Sequence, residues 1–318
     1  MSESIEFAIV GAGMAGLTAA AMLRQNRRRV VLLDKGRGVG GRLATRRAGE
    51  SRFDHGAQFF TVRDARFRAA VDQWRAAGWV TEWFTETGHT RYRGTGGMNG
   101  LAKELAKPFD VRTQTAVTRI EAADGGWLLV TGAGDEIHAG NLLMTAPVPQ
   151  SLALLAGCLA ALAPDVFEDL RGIDYDPCFA LLATVEGPGL VPAPGYVRPE
   201  TGPIAFLADN TRKGVSTGPA ALTIHASPGF TRDYFDAPHE EIARLLLEAA
   251  APWLGGAVTA WQVHRWKFSQ PITPVSAAFL YSATPAPIAF AGDAFGGPRV
   301  EGAFLSGLSA AEAFLALH

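Results

Sequence analysis

Residues 11–16 read Gly-Ala-Gly-Met-Ala-Gly, directly after the apolar run Ile5 to Val10 and at the start of the helical spacing of Met14 to Gln25. Three glycines between a buried strand and a helix let the backbone approach a ligand, and the helix's amino end favours an anion there. Arg29 to Asp34 follows as a second strand whose Val30, Val31, Leu32 and Leu33 are continuously apolar, so the chain opens as a βαβ unit. Asp34 closes that strand about 20 residues on, where a carboxylate accepts hydrogen bonds from ribose hydroxyls. The GxGxxG spacing alone is a weak signal. In this setting it predicts a dinucleotide site built from Gly11, Ala12, Gly13, Met14, Ala15, Gly16, Asp34 and the adjoining Lys35.

Two further segments lengthen that site. Gly40-Gly41-Arg42 adds a second backbone cradle with a guanidinium able to neutralise phosphate. At the opposite end of the chain, Gly292-Asp293 follows a buried strand and Val300-Glu301-Gly302-Ala303 opens an apolar run to Leu317. A carboxylate at Asp293 suits a ribityl hydroxyl or an ordered water, and the amides at the start of the last helix suit the pyrimidine carbonyl of a flavin. Each has a plainer reading: a turn at Gly40-Gly41, a turn or cap at Asp293, a bare helix start at Glu301. Taken together, nucleotide-handling segments at both ends suggest one long cofactor.

Composition excludes several classes. With 318 residues, 48% hydrophobic and 19% charged, the chain is of ordinary globular character. Its 29 basic and 31 acidic residues nearly cancel, which leaves no electrostatic footprint for nucleic acid or an anionic membrane. Cys158 and Cys178 form neither a CxxC spacing nor a disulfide framework, so a cytoplasmic setting is expected, with both thiols buried and inert and the cofactor held non-covalently. Leu152 to Ala163 is too short an apolar run to cross a bilayer. No metal motif and no GxSxG is present, so no metal site is expected.

The coarse reading continues with a short strand or loop at Phe53 to Phe60, helices at Ala65 to Ala77 and Met98 to Ala106, and short strands at Val111, Thr115 to Ile120, Trp127 to Thr131, Ile137 and Leu142 to Thr145. From Ser151 to Ser282 helical pieces (Leu152 to Leu162, Glu240 to Ala250) mix with alternating strands (Cys178 to Glu186, Ile204 to Asp209, Ala221 to Ala226, Val258 to Phe268). The fold class is therefore α/β, a Rossmann-type domain interleaved with an α+β substrate domain on a mostly antiparallel sheet. The expected division is residues 1–62, 95–150 and 284–318 for the cofactor domain, and 63–94 and 151–283 for the substrate domain.

The segments GAGMAG, Asp34, VGGR, AGD and EGAFLSG resemble the glutathione-reductase-type FAD family. Within it, Asp54 to Thr61, Gly97 to Leu101, His264-Arg265-Trp266 to Pro271, and Arg299 to Ala303 resemble the renalase-type branch. The resemblance implies FAD as cofactor, Val117 as a backbone contact to adenine, and Gln58 and Phe59 beside the ring. It also implies His225 and Asn210 near the flavin face, where they would hold a nicotinamide carboxamide. Phe59 stands where the family commonly has Tyr, and Ala294 where bacterial members carry Trp.

The implied activity is oxidation of 2- or 6-dihydro isomers of NAD(P), with hydride passing to the flavin and molecular oxygen reduced to hydrogen peroxide. Such donors need no catalytic base, which suits a chain without an evident acid/base pair. Amine oxidation, for which the same fold often provides an aromatic cage beside the flavin, is the alternative; Phe59, Phe60, Phe295 and Trp266 could be misread as such a cage. An NADPH-dependent monooxygenase and a binding or chaperone protein that keeps the fold without turnover also remain open.

Overall fold

A computed structural model describes residues 3–123 and 125–317. The βαβ opening forms as expected from Glu3–Val10 (β1), Met14–Gln25 (α1) and Val30–Leu33 (β2). A hairpin of Thr45–Ala48 (β3) and Ser51–Asp54 (β4) leads to helix Ala65–Ala76 (α2), a second hairpin Val80–Glu86 (β5) and His89–Gly94 (β6), and helix Met98–Ala106 (α3). Asp110–Arg112 (β7), Val117–Ala123 (β8), Gly126–Thr131 (β9) and Glu136–Met144 (β10) follow. Next come Val148–Leu154 (α4), Pro164–Arg171 (α5), Tyr175–Val185 (β11), Tyr196–Val197 (β12), Ile204–Asp209 (β13) and Ala220–Ala226 (β14). Pro228–Asp233 (α6), His239–Leu254 (α7), Val258–Pro271 (β15), Leu280–Ser282 (β16), Ile288–Phe290 (β17) and Val300–Leu317 (α8) complete the chain.

The first sheet runs β16-β17-β10-β1-β2-β7, with β17, β10, β1, β2 and β7 mutually parallel. The chain winds outward from β1 to β2 and β7, then returns to β10 on the other flank. The carboxyl ends of β1 and β10 therefore form the switch point at which such sheets bind ligands. Sequence reading splits β10 at Gly140-Asn141, but the structure keeps one strand. Its Glu136 to Ala139 half pairs β9, its Leu142 to Met144 half pairs β17, and β1 runs along the other edge.

Alternation along β1 divides the core. Phe7 and Ile9 face α1, α2, α3 and α8, whereas Ala8 and Val10 face the β8–β9 ribbon and α4 and α5. This packing changes the expected domain division. Helix α2 and strands β5 and β6 contribute Phe67, Val71, Trp74, Val80 and Tyr92 to the first sheet's core, α5 packs on its other face, and β16 joins the first sheet ahead of residue 284. The second sheet, β12-β13-β14-β11-β15, is wholly antiparallel. One face buries α7 through Ile242, Leu246 and Ala250; on the other, Leu182 and Ala221 close on Phe53 of β4.

Helix α8 is long and apolar enough by composition to cross a membrane. It instead serves as a core helix: Phe314 meets Phe7 at 5.4 Å, and Phe304 meets Phe67 at 5.0 Å and Trp74 at 5.8 Å. Its contact with α1 is backbone to backbone, because a Cβ on Gly307 would lie 2.1 Å from the Ala15 carbonyl oxygen. Gly307→Val must push the helices apart. A loss of about 1–3 kcal/mol or more is expected, read as a lowered urea midpoint with α-helical content retained.

Candidate functional site

The amino end of α1 is built for an anion. Gly13 caps the helix without a side-chain hydrogen bond, so the first amides of α1 have no intrahelical acceptor. A Cβ on Gly16 would lie 2.1 Å from the Gly11 carbonyl oxygen, which shows how tightly the turn is drawn. Asp34 braces the loop: Oδ2 accepts from the Ala12 amide at 2.8 Å and Oδ1 from the Gly36 amide at 2.7 Å. Each oxygen keeps a lone pair for a ribose hydroxyl. Thr115 donates its amide to the Asp34 carbonyl at 2.9 Å, which brings Val117 alongside, while Lys35 is turned to Gln150 at 2.9 Å.

The Gly40-Gly41-Arg42 loop closes over that end. The Gly40 amide donates to the Ala12 carbonyl at 2.8 Å, and a Cβ on Gly41 would sit 3.6 Å from the Gly13 Cα. Arg42 then forms a bidentate pair with Asp293, 2.6 Å at each oxygen, and donates to the Ser269 carbonyl at 3.0 Å. The two residues expected to contact the cofactor separately are thus joined to each other, fastening the early glycine loop to the late one. The Gly292 amide is held by Ser306 of α8 at 2.9 Å.

At the start of α8 the structure redistributes the expected roles. The Ala303 amide already donates to the Arg299 carbonyl at 2.9 Å, so the free amides of the first turn are those of Val300, Glu301 and Gly302. The Glu301 carboxylate is buried and accepts from the amides of Arg63 at 2.7 Å and Asp64 at 2.8 Å. It anchors the approach to α2 rather than facing a ligand.

An FAD fits this line of groups. A Cβ on Gly13 or on Gly292 would meet nothing within 4 Å, so open space lies along the backbone at both loops. The uncapped helix end supplies donors for a diphosphate and Asp34 supplies acceptors for a ribose.

Sequence reasoning missed the organising residue of the substrate side. Asp54 is fully buried; its carboxylate accepts from Thr45 Oγ1, from the Met98 amide at 2.8 Å and from Lys213 Nζ at 2.7 Å. Both side chains of the Asp54–Lys213 pair are 0% exposed. Burial pulls the Lys213 ammonium below its ordinary range and the facing carboxylate pushes back. No sequence signal joins residues so distant in the chain.

This network also corrects two expected roles. Asn210 is 0% exposed; its amide nitrogen donates to the Ala221 carbonyl and Thr223 Oγ1, both at 2.9 Å, and its oxygen accepts from the Asp54 amide at 3.0 Å. Both its donors are spent, so it clamps β4 to β14 and has none left for a carboxamide. Gln58 is likewise turned inward, donating to the Asp54 carbonyl and accepting from Lys213 Nζ at 3.2 Å.

His225 does reach the site. Its Nε2 lies 3.1 Å from the His55 carbonyl, which also accepts from Trp266 Nε1 at 2.8 Å. A carbonyl only accepts, so Nε2 carries the proton and Nδ1 is the basic atom. Desolvation drives the His225 pKa down to about 4, opposed by the bond to His55 and helped by Lys213. His55, stacked on Trp266 with ring centroids 5.4 Å apart, is driven to about 3, and His264 to about 4, burial being the chief cause for each. All three imidazoles are neutral near pH 7.

Phe59 is half-buried among Trp83, Phe84 and Phe206 at 6.1 to 6.4 Å. The aromatic cage that the amine-oxidation alternative would draw from Phe59, Phe60, Phe295 and Trp266 does not form. Phe60 is buried on one face of the first sheet and Phe295 on the other. Cys158 and Cys178 are free, both thiols pushed up by burial, Cys178 to about 12.

The sequence matches the family model described as flavin containing amine oxidoreductase over residues 74–315, and that of an NAD(P)-binding Rossmann-like domain over residues 9–74. Renalase of Mus musculus is 24% identical over 295 residues, covering 84% of this chain and 86% of that protein. A putative protoporphyrinogen oxidase from Exiguobacterium sp. 255-15 superposes with a TM-score of 0.75 at 15% identity over 100% of both chains. A wild-type putrescine oxidase bound to putrescine superposes with a TM-score of 0.71 at 15% identity, covering 99% of this chain and 100% of that one. At these identities the two structures share the fold.

Two outcomes follow from the buried charges. Lys213→Met strands the Asp54 carboxylate and is expected to cost about 3–5 kcal/mol in denaturant unfolding, with part regained by adding Asp54→Asn. The histidines act on pH dependence. Their folded pKa values lie below the ordinary 6.5, so their contribution is complete above pH 6.5 and is lost as pH falls toward about 4 and then 3. The urea midpoint should therefore drop between about pH 7 and pH 5, with a shallower slope in His225→Gln.

Proposed function

Because the chain belongs to the flavin containing amine oxidoreductases, FAD-dependent enzymes, we propose that it is an oxidase of dihydronicotinamides that takes hydride from 2- or 6-dihydro isomers of NAD(P) and delivers the electrons to oxygen, yielding hydrogen peroxide. One observation carries this reading: the imidazole nearest the substrate side is neutral, with its Nε2 proton committed to His55 and its pKa near 4, and Asn210, Gln58 and Lys213 are sealed in a buried network. Among the described residues, no strong proton acceptor is presented. A dihydropyridine gives up hydride without losing a proton from oxygen or nitrogen, so it makes no demand for one.

FAD, when bound, supplies the two-electron acceptor and the reaction with oxygen. The chain's own part is placement and electrostatics. The first-turn amides of Val300, Glu301 and Gly302 put partial positive charge at the amino end of α8, favouring negative charge on a neighbouring ring. Stacked His55 and Trp266, tied by the hydrogen bond to the His55 carbonyl, wall one side against water. His225 offers Nδ1 as an acceptor for a carboxamide N–H, a role Asn210 is not free to share. A cytoplasmic location suits a substrate of this class.

Amine oxidation is the second reading, favoured by the family's description and by the likeness to a putrescine oxidase. Anaerobic mixing separates the two. Under the proposal, 2- or 6-dihydro-NAD(P) bleaches the flavin absorbance within the mixing time, and putrescine does so slowly or not at all. Prompt bleaching by the amine with none by the dihydronicotinamides would reverse the assignment.

A further inference from the structure

The proposed chemistry leaves unused the charge gathered around Phe59. Two guanidinium groups cover this one ring, Arg91 at 5.4 Å and Arg198 at 5.7 Å from its centroid. Arg198 also lies 5.3 Å from Phe206 and 5.8 Å from Tyr196, so a single cation spans three aromatic faces. Behind it, Arg93 is half-buried with its Nε unmatched, and Lys213 Nζ stands 5.0 Å from the Trp83 ring.

Few negative charges answer these four cations. Asp54 is taken by Lys213, and Glu86 is taken by Arg91 at 3.0 Å and by the Tyr196 hydroxyl. Arg198 is exposed and, among the described residues, has no carboxylate partner. The cluster is continuous with the site already described, because Phe206 lies 6.3 Å from His225, which holds the His55 carbonyl.

We propose that Arg198, supported by Arg91, is a subsite for phosphate on the substrate, and that it selects a phosphorylated dihydronicotinamide over a polyamine. This rests on the dihydronicotinamide reading and names what that substrate must carry. The guanidinium carbon stands 5.3 to 5.8 Å from three ring centroids, and no carboxylate among the described residues occupies its donors, which leaves them for a phosphate through two parallel hydrogen bonds. The guanidinium groups already occupy the cation-attracting surroundings of Phe59, Tyr196 and Phe206, and the surplus positive charge repels a polycation.

The test titrates the FAD-loaded enzyme, as wild type, Arg198→Ala and Arg198→Lys, with the oxidised nucleotides NAD, nicotinamide mononucleotide and nicotinamide riboside, reading binding from the flavin absorbance and from equilibrium dialysis. Arg198→Ala should weaken the two phosphate-bearing ligands roughly 10- to 100-fold and leave the riboside unchanged, with Arg198→Lys between. Wild type should prefer the mononucleotide to the riboside by a similar factor. Equal affinity of wild type for riboside and mononucleotide, or no loss in Arg198→Ala, would overturn the subsite. The outcome is separable from the underlying reading, which stands or falls on whether dihydro forms of the same ligands bleach the flavin without oxygen. Bleaching with no phosphate preference refutes only the subsite; phosphate-dependent binding with no bleaching refutes only the reaction.

Discussion

The fold's two halves meet through one buried carboxylate. Asp54 accepts from β3, from the start of α3 and from Lys213, while its own backbone is tied to Asn210, Thr223 and Gln58. A charge in that position would be prohibitive without its cation and its hydrogen bonds, so the arrangement tolerates little displacement of any partner. The segment from Asp54 to Phe59, which carries the His55 carbonyl and the Phe59 ring, is held in place by that demand. What looks like a loop between a hairpin and a helix is among the most constrained stretches of the molecule.

The nucleotide end was legible because its chemistry is local. Gly11 to Gly16 and Asp34 lie within one βαβ unit, and α1, α3 and β13 occupy the spans their spacing predicts. The substrate side was much less so. Asn210 resembles a ligand-facing amide in sequence, yet its hydrogen bonds are consumed by Asp54, Ala221 and Thr223, none of which its neighbours announce. Glu301 sits at a helix start as a cofactor residue would, but the loop it grips lies far away in sequence. Phe60 and Phe295 look like cage aromatics beside Phe59 until the sheet separates them onto opposite faces.

Lowered histidine pKa values and a crowded set of guanidinium groups express one design. Burial keeps His55, His225 and His264 uncharged beside the Asp54–Lys213 pair, while Arg91 and Arg198 gather positive charge around Phe59. Under the proposed function, a neutral nicotinamide ring would meet the neutral imidazoles and a phosphate would meet the cations around Phe59. Such separation of roles lets orientation be fixed at a distance from the reacting atoms.

The joining of α8 to α1 has a consequence for biosynthesis. The glycine loop of the first βαβ unit and the helix after it are translated well before their neighbours Thr145 and Gly307. Until then the Phe7 and Ile9 face of β1 lacks the helix that covers it, and the nascent polypeptide is exposed to aggregation and to chaperones. The cofactor site is thereby complete only once α8 has docked on α1, so two segments far apart in the chain must both be in place before the prosthetic group can be held.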